Sequence, residues 1–532
     1  MSKNQEPARV RYLVRKGKRG IWNLLFSRVG VIAGLLFLES VILLVLYGAL
    51  GAMVPFVYNW PIGYAVSTIL SVIVAVYVVN GRYNPTAKMT WLVIITLLPI
   101  VGVLFYWTIT NDFGHRKFKR KMEKMTEASR DLLGQDAQTM AKLKKENPAA
   151  ASLAHYAGSI SSHPVFDETE LTYYPSGRKM WHALLDELEQ AKEYIFLEYF
   201  IIAEGYMWGK ILDVLERKAK EGVEVRVMYD GSCAFTTLPY TYDKKVRELG
   251  IRCKMFSKIV PFLRTTYNFR DHRKIAVIDG QTAFTGGVNL ADEYIGETVV
   301  YGHWKDAGIM IKGRAVQSFK LMFLQMWNAE EEEEDFGTYM DSCPDPVPEA
   351  SGFAMPYGEN PLFSDKLARS VYIDMLNRAR NYVHIMTPYL VLDGDLEAAF
   401  QLCARRGVDV KLIVPGIPDK FIPYAMAKSH YEFLIENGVE IYEYDPGFTH
   451  AKTIVCDGRE AVVGTINFDY RSLYHHFECG VFMVNADAAG DVEHDFRNTL
   501  KRCSRITLEM ARNRHLGYKI TGWIMKIFAP LF

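Results

Sequence analysis

One pattern occurs twice. His272–Asn289 reads HRKIAVIDGQTAFTGGVN, and His450–Asn467 reads HAKTIVCDGREAVVGTIN. His272, Lys274, Asp279, Gly286 and Asn289 each return 178 positions later as His450, Lys452, Asp457, Gly464 and Asn467. Five positions in register over that distance restrict the chain to a duplicated half-domain. Each copy then delivers one histidine and one lysine to a shared site. Alternate residues of a strand share a face, so the imidazole and ammonium of HxK project into one cleft. The apolar run that follows in each copy supplies a buried strand, and Asp-Gly ends it in a turn.

That inventory suits one kind of chemistry. A neutral imidazole is a nucleophile or a general acid or base near neutral pH. An ammonium beside it stabilises negative charge on a transferring phosphoryl group. Two copies, with Asn289 and Asn467 as neutral donors, suit an anionic phosphodiester attacked on one side by histidine and protonated on the other. No carboxylate or Cys/His cluster has metal-ligand spacing, so the two lysines are expected to stand in for a metal, and no cofactor is expected. A single HxK would be read as a solvated strand; two in register are not.

HxKxxxxD followed by GGxN or GTxN resembles the phospholipase D superfamily motif. The strings RDHRKIAVIDG, YGHWKDAGIMIKG and GTINFDYRS resemble bacterial cardiolipin synthases, and the likeness runs over most of the chain. The resemblance implies an α/β fold: two pseudo-symmetric phospholipase D-like α/β sandwich halves form one catalytic unit, preceded by N-terminal transmembrane helices. It implies a phosphatidyltransferase that joins two phosphatidylglycerol molecules, releases glycerol and passes through a phosphohistidine. By that likeness His272 is the nucleophile and His450 the general acid/base, although the motif treats the two alike and permits the reverse. Lys274, Lys452, Asn289 and Asn467 are expected to bind phosphate. Thr465 keeps a hydroxyl where the first copy has Gly287, so the first half is expected to offer one phosphate hydrogen bond fewer. Asp279 and Asp457 complete the catalytic motif and are read as ending the strand and bonding backbone rather than carrying protons.

Further groups flank the motifs. Asp306 follows His272 in HWKDAG, and Glu478 follows His450 in HHFECG. The resemblance implies that a carboxylate in this region orients the imidazole through its other ring nitrogen, as in a Ser-His-Asp array. Glu198 ends a strand, where it either borders the cleft or serves the core. Arg471 either binds phosphate or braces the second motif. His475, His476 and Cys456 are read as structural.

The remaining chain of 532 residues has room for a membrane region and two core-forming halves. Seven dispersed cysteines without CxxC spacing argue against a disulfide framework. A net charge of +1 gives no support to nucleic acid as a partner; the expected partners are membrane phospholipids, and oligomeric state is left open. Residues 1–28 form a basic arm without a cleavage signature. Residues 29–110 form a membrane region with hydrophobic stretches at 30–54, 61–80 and 89–109, each near the ~20 residues that a spanning helix needs. The basic arm belongs inside. Pro99 and Gly102 would let the third stretch fold into a re-entrant hairpin and leave the enzyme on the cytoplasmic face; three full spans would put it outside. The expected location is the cell membrane, multi-pass, with the cytoplasmic face favoured.

Residues 111–160 read as a juxtamembrane helix or a solvated linker. The first half is placed at 161–335, an acidic, proline-rich connector at 336–360 and the second half at 361–505. In both halves strands alternate with helices: YIFLEYFII and GVEVRVMYD in the first, YVHIMTPYL and GVDVKLIVP in the second. Residues 506–532 are expected to hold an amphipathic helix, either at the membrane interface or packed on the protein. The alternative activity is hydrolysis, in which the same residues use water as acceptor and release phosphatidate.

Overall fold

The computed structural model describes residue 13 and residues 61–81, 84–110, 116–160, 163–258, 269–330 and 336–531. Apart from residue 13, the basic arm lies outside the described residues, as does the stretch at 30–54. The chain divides into two compact units, the larger spanning Lys119–Lys258 and Phe269–Gly522 among the described residues.

The first half of the larger unit carries β1 (Thr169–Tyr174), β2 (Tyr194–Tyr199), β3 (Glu224–Asp230), β4 (Arg252–Phe256), β5 (Arg270–Asp271), β6 (Lys274–Ile278), β7 (Thr282–Gly286), β8 (His303–Lys305) and β9 (Gly308–Gly313). The second carries β10 (Phe353–Glu359), β11 (Tyr382–Met386), β12 (Asp409–Pro415), β13 (Glu440–Tyr444), β14 (Gly447–Thr449), β15 (Thr453–Cys456), β16 (Glu460–Gly464), β17 (His476–Val484) and β18 (Cys503–Ile506). The first sheet has the order β1-β9-β7-β6-β2-β3-β4. The second repeats it as β10-β17-β16-β15-β11-β12-β13 and adds β18 at its edge. In each, β2-β3-β4 or β11-β12-β13 run parallel, and the motif strand, β6 or β15, returns antiparallel to β2 or β11.

The strands centred in these sheets are buried on both faces because helices cover them. Gly177–Gln190 and Tyr206–Lys220 follow β1 and β2, and Leu367–Arg378 and Gly394–Arg405 take the same places in the second half. Leu184, Leu188, Ile211 and Leu215 recur at helical spacing and bury against the first sheet; Val371, Met375, Leu396 and Phe400 do the same in the second. Each half has its own hydrophobic core.

Two short parallel ladders tie the halves together. β5 pairs with β17, and β8 pairs with β14. Each therefore joins the approach to a motif in one half to a strand of the other.

Residues 137–160 are no solvated linker. Helix Pro148–Ile160 buries Ala150, Ala151, Leu153, Ala154 and Ala157 in the core of the second half. Asn147 adds a hydrogen bond to Glu460 at 2.7 Å. Small side chains let this helix lie close on its neighbours.

The smaller unit contains helix Pro61–Asn80, then Pro85–Leu97 and Pro99–Thr110. The third hydrophobic stretch is thus broken at Leu98, ahead of Pro99, as proline requires of a helix it interrupts. The two pieces fold back on each other: Trp91 meets Tyr106 edge to face at 5.1 Å. Gly102 lies so close to the preceding helix that a Cβ would stand 2.7 Å from the Ile94 carbonyl oxygen. Counted over residues whose side chains are described, no helix is long and apolar enough to cross a membrane. Helix Pro61–Asn80 leaves Ile69, Val72, Ile73 and Val76 exposed.

The C-terminal helix is Leu516–Phe528. Its expected single apolar face is divided: Phe528 and Leu531 pack beside Trp91, Ile94 and Tyr106, while Trp523, Ile524 and Ile527 stay exposed.

Candidate functional site

The two motifs meet through exchanged partners. The His272 amide donates to the Phe477 carbonyl at 2.9 Å, in continuation of the β5–β17 ladder. The next residue, Glu478, takes the His272 ring: Nδ1 lies 2.8 and 2.9 Å from its two carboxylate oxygens. The second motif mirrors this. The His450 amide donates to the Lys305 carbonyl at 2.6 Å, and Nδ1 donates to Asp306 Oδ2 at 2.7 Å. A carboxylate accepts, so Nδ1 carries hydrogen in both rings and Nε2 keeps its lone pair. Chain order groups Asp306 with His272 and Glu478 with His450; the fold exchanges them.

Both imidazoles are buried, which disfavours their charged form. His450 is pushed down to about 4, by burial first and then by Lys452, against the pull of Asp306. His272 is held well below its ordinary value by burial, Lys274, Lys452 and His450. Asp306 is raised by burial but brought below its ordinary value on balance by His450 and Lys452.

Lys274 and Lys452 are buried on the same strand face as their histidines, and each ammonium donates to the carbonyl of its own motif histidine. Burial lowers Lys274 to about 8 and Lys452 to about 7. The site thus gathers four basic groups out of water with fewer charges than four bases would carry at the surface. An anion entering it supplies the missing counter-charge.

The other candidates divide. Asn289 accepts from the Ile201 amide at 3.0 Å and donates to the Tyr294 hydroxyl at 2.8 Å, whereas the Asn467 carbonyl oxygen is buried without a protein partner. The Thr465 hydroxyl donates to Glu478 Oε2, so it braces the acid that holds His272 instead of standing open to phosphate. Gly287 occupies the matching place because the other acid fills it: a Cβ there would stand 1.9 Å from Asp306 Oδ1. The two halves support their acids differently, one with a hydroxyl and one by leaving room.

Asp279 and Asp457 sit at the far end of their strands from the histidines. Asp279 accepts the amides of Lys192, Glu193 and Tyr194 at 2.8, 2.8 and 3.0 Å. Asp457 does the same for Arg380, Asn381 and Tyr382 at 2.8, 2.8 and 2.9 Å. Both have positive φ, 49° and 53°, and pin the hairpin after the motif strand to the start of β2 or β11. They clamp backbone and touch neither imidazole.

Glu198 faces away from the HxK surface. Its register partner is Ile275, so it shares a face with Arg273, whose Nη1 lies 3.9 Å away. Burial and the neighbouring Asp271 raise its carboxyl well above the ordinary range, while burial raises Asp271 too. Both Glu198 carboxyl oxygens and Asp271 Oδ2 are buried without a hydrogen-bond partner. Arg471 is exposed.

His476 was unexpected here. It is buried, its ring centroid lies 5.4 Å from that of His272, and neither ring nitrogen has a hydrogen-bond partner. Burial pushes it down to about 3. Its position at the β5–β17 ladder was not readable from spacing. Among the described residues, His272, His476 and Glu478 are the group able to hold a cation jointly, with ligand atoms within 4.8 Å. Glu478 is already engaged by the His272 ring and Thr465. Aromatic rings wall the site: Phe200 meets His272 at 4.8 Å, and Tyr294, Trp304 and Phe448 surround His450 at 5.4, 5.5 and 5.9 Å. Phe448 and Trp304 each stand two residues before His450 and Asp306, a period-two signal visible in the strings FTH and WKD.

Residues 184–327 and 372–500 match the family described as cardiolipin synthase, PLD-like domain, and residues 69–109 match the phospholipase D-nuclease N-terminal family. An uncharacterized protein of Streptococcus mutans is 46% identical over 86% of this chain and 98% of its own. A cardiolipin synthase of Geobacillus thermodenitrificans is 32% identical over 87% of this chain and 92% of its own. In fold, the chain is similar to phosphatidylserine synthase of Haemophilus influenzae, with a TM-score of 0.53 at 15% identity over 68% of this chain and 93% of the other.

Proposed function

The chain belongs to the cardiolipin synthase family of phospholipase D-like proteins, and from that premise we propose that it joins two phosphatidylglycerol molecules into cardiolipin and releases glycerol. The exchange of acids between the halves carries this reading. It leaves an Nε2 lone pair on each of two rings, beside two ammoniums, with no half complete alone.

In the first step His272 Nε2 attacks phosphorus of one lipid. His450 takes up a second proton from water at Nε2 when the phosphodiester anion binds; as the bond to the glycerol oxygen breaks, it gives that proton to the oxygen. In the second step a glycerol hydroxyl of the other lipid gives its proton to His450 Nε2. Its oxygen bonds to phosphorus as the P–N bond to His272 breaks. His450 keeps its Nδ1 proton throughout, and Asp306 accepts that hydrogen bond and stabilises the imidazolium. Lys274, Lys452 and the amides of Asn289 and Asn467 hold the phosphate oxygens. His450 is poor at holding a second proton in the empty site, and the bound phosphodiester anion raises its affinity.

The membrane region supports lipid access. Helix Pro61–Asn80 has 20 residues, about 30 Å at helical rise, and exposes apolar side chains. The hairpin at Pro85–Thr110 has arms of 13 and 12 residues, each too short to cross. With the hairpin re-entrant in place of a further crossing, the catalytic unit faces the cytoplasm.

The test is purified enzyme with labelled phosphatidylglycerol as sole lipid, beside His272→Ala and His450→Ala. Cardiolipin with equimolar glycerol, lost in both variants, is expected. Phosphatidate in place of cardiolipin would make the protein a hydrolase, and turnover surviving in either variant would sink the two-histidine mechanism.

A further inference from the structure

Cardiolipin carries two phosphodiesters joined through one glycerol. An enzyme that makes it from two phosphatidylglycerols must hold a second phosphate one glycerol away from the reacting phosphorus. The His/Lys centre accounts for one phosphate only.

A narrow cleft adjoins the centre, lined by Tyr389, Pro415, Pro418, Lys420, Tyr424 and Phe448 among others. Phe448 links the two: its ring stacks on His450 at 5.9 Å and meets Tyr389 at 6.4 Å. The cleft therefore lies against the ring of the imidazole to which the proposed mechanism gives the acceptor's proton. Its walls are aromatic and proline surfaces, suited to the carbon backbone of a glycerol ester. Lys420 brings a positive charge to it.

That lysine is otherwise unexplained. It is exposed, and no carboxylate among the described residues pairs with it. The adjacent Asp419 is engaged instead by the Tyr389 hydroxyl, at 2.5 Å. Lys420 also stands at the N-cap of helix Phe421–Glu436, where a cation opposes the helix dipole. A local rule broken without a local gain marks a functional position. Its charge reaches the centre, for it contributes to the lowered proton affinity of His272.

We propose that this cleft is the acceptor subsite and that Lys420 binds the phosphate of the second phosphatidylglycerol, holding its glycerol hydroxyl toward His450. The proposal rests on the phosphatidyl-transfer reading above. Lys420 takes no part in bond making; it positions the acceptor.

Full-length enzyme in vesicles of phosphatidylglycerol and phosphatidylcholine, supplied with labelled glycerol, runs two transfers at once. A lipid acceptor gives cardiolipin. Glycerol, which lacks a phosphate, gives labelled phosphatidylglycerol. Lys420→Gln is expected to lower the ratio of cardiolipin to labelled phosphatidylglycerol about tenfold, with a raised KM for phosphatidylglycerol in cardiolipin formation, and Lys420→Arg to restore it. An unchanged ratio, including an equal fall in both products, overturns the acceptor assignment and leaves phosphatidyl transfer standing. Absence of both products from the unmodified enzyme would instead remove the reading beneath it.

Discussion

Each imidazole answers to an acid distant in sequence: His272 to Glu478 across 206 positions, His450 to Asp306 across 144. Glu478→Gln puts an amide donor where two acceptor oxygens now serve the His272 ring and the Thr465 hydroxyl. The wrong tautomer of His272 then competes, and kcat should fall about 10²–10⁴-fold, as for amide replacement of a triad acid. Asp306→Asn should do the same through His450. Kinetics on variants with unchanged thermal melting would check this, and activity above a tenth of the original would refute an orienting role. The lysines carry a different signature. With folded values of about 8 and 7 against an ordinary 10.5, Lys274 and Lys452 bind fewer protons folded than unfolded throughout that interval. Stability therefore rises with pH from about 7 to 10.5. Lys452→Met should abolish turnover yet raise the melting temperature below pH 7, with the gain fading as pH climbs toward 10.5. A variant less stable at pH 6.5 would contradict the buried-charge account. The motif residues were legible because duplication displays them twice. Their partners were not, because β5 and β8 are strands of two and three residues with no periodicity to read. The closeness of His476 to His272 was hidden for the same reason.

Among the elements, the long strands and their covering helices follow from alternation and apolar spacing. Helix Gly394–Arg405 and strand Tyr382–Met386 lie where the pattern predicts them. The helix at Pro148–Ile160 shows where that reading fails. Its buried face is mostly alanine, which signals little hydrophobicity, and what it packs on comes two hundred residues later. Shape complementarity, not apolar bulk, holds it. Ala157 is fully buried in that face, so Ala157→Leu should force the helix off the second half and cost about 1–3 kcal/mol. Denaturant melts of the purified protein would measure it; a neutral result would show that the helix is only loosely attached. The break at Leu98–Pro99 was legible, since proline and a close-packed glycine are local signals.

At the scale of the molecule, duplication explains the matching sheets but the two copies have diverged around their acids. Thr465 braces Glu478 while Gly287 makes room for Asp306, and Asn289 is engaged while the Asn467 carbonyl oxygen is open. A symmetric scaffold thus carries an asymmetric site, which suits the two sequential roles proposed for the histidines. On the proposed membrane reading, the face that this site occupies follows from how many times the chain crosses before Lys119. Two crossings and a re-entrant hairpin return it to the side of the basic arm; three crossings would not. Cys343 decides between them: of the seven cysteines it is the exposed one, with Cys503 half-buried and the rest buried. A membrane-impermeant maleimide should leave Cys343 unmodified in intact cells and modify it in inside-out vesicles, with Cys343→Ser as the control. Modification in intact cells would place the catalytic unit outside and require the hairpin to open into a full span. Because the two arms are packed through Trp91, Tyr106 and Gly102, that outcome would also demand a second conformation of those helices.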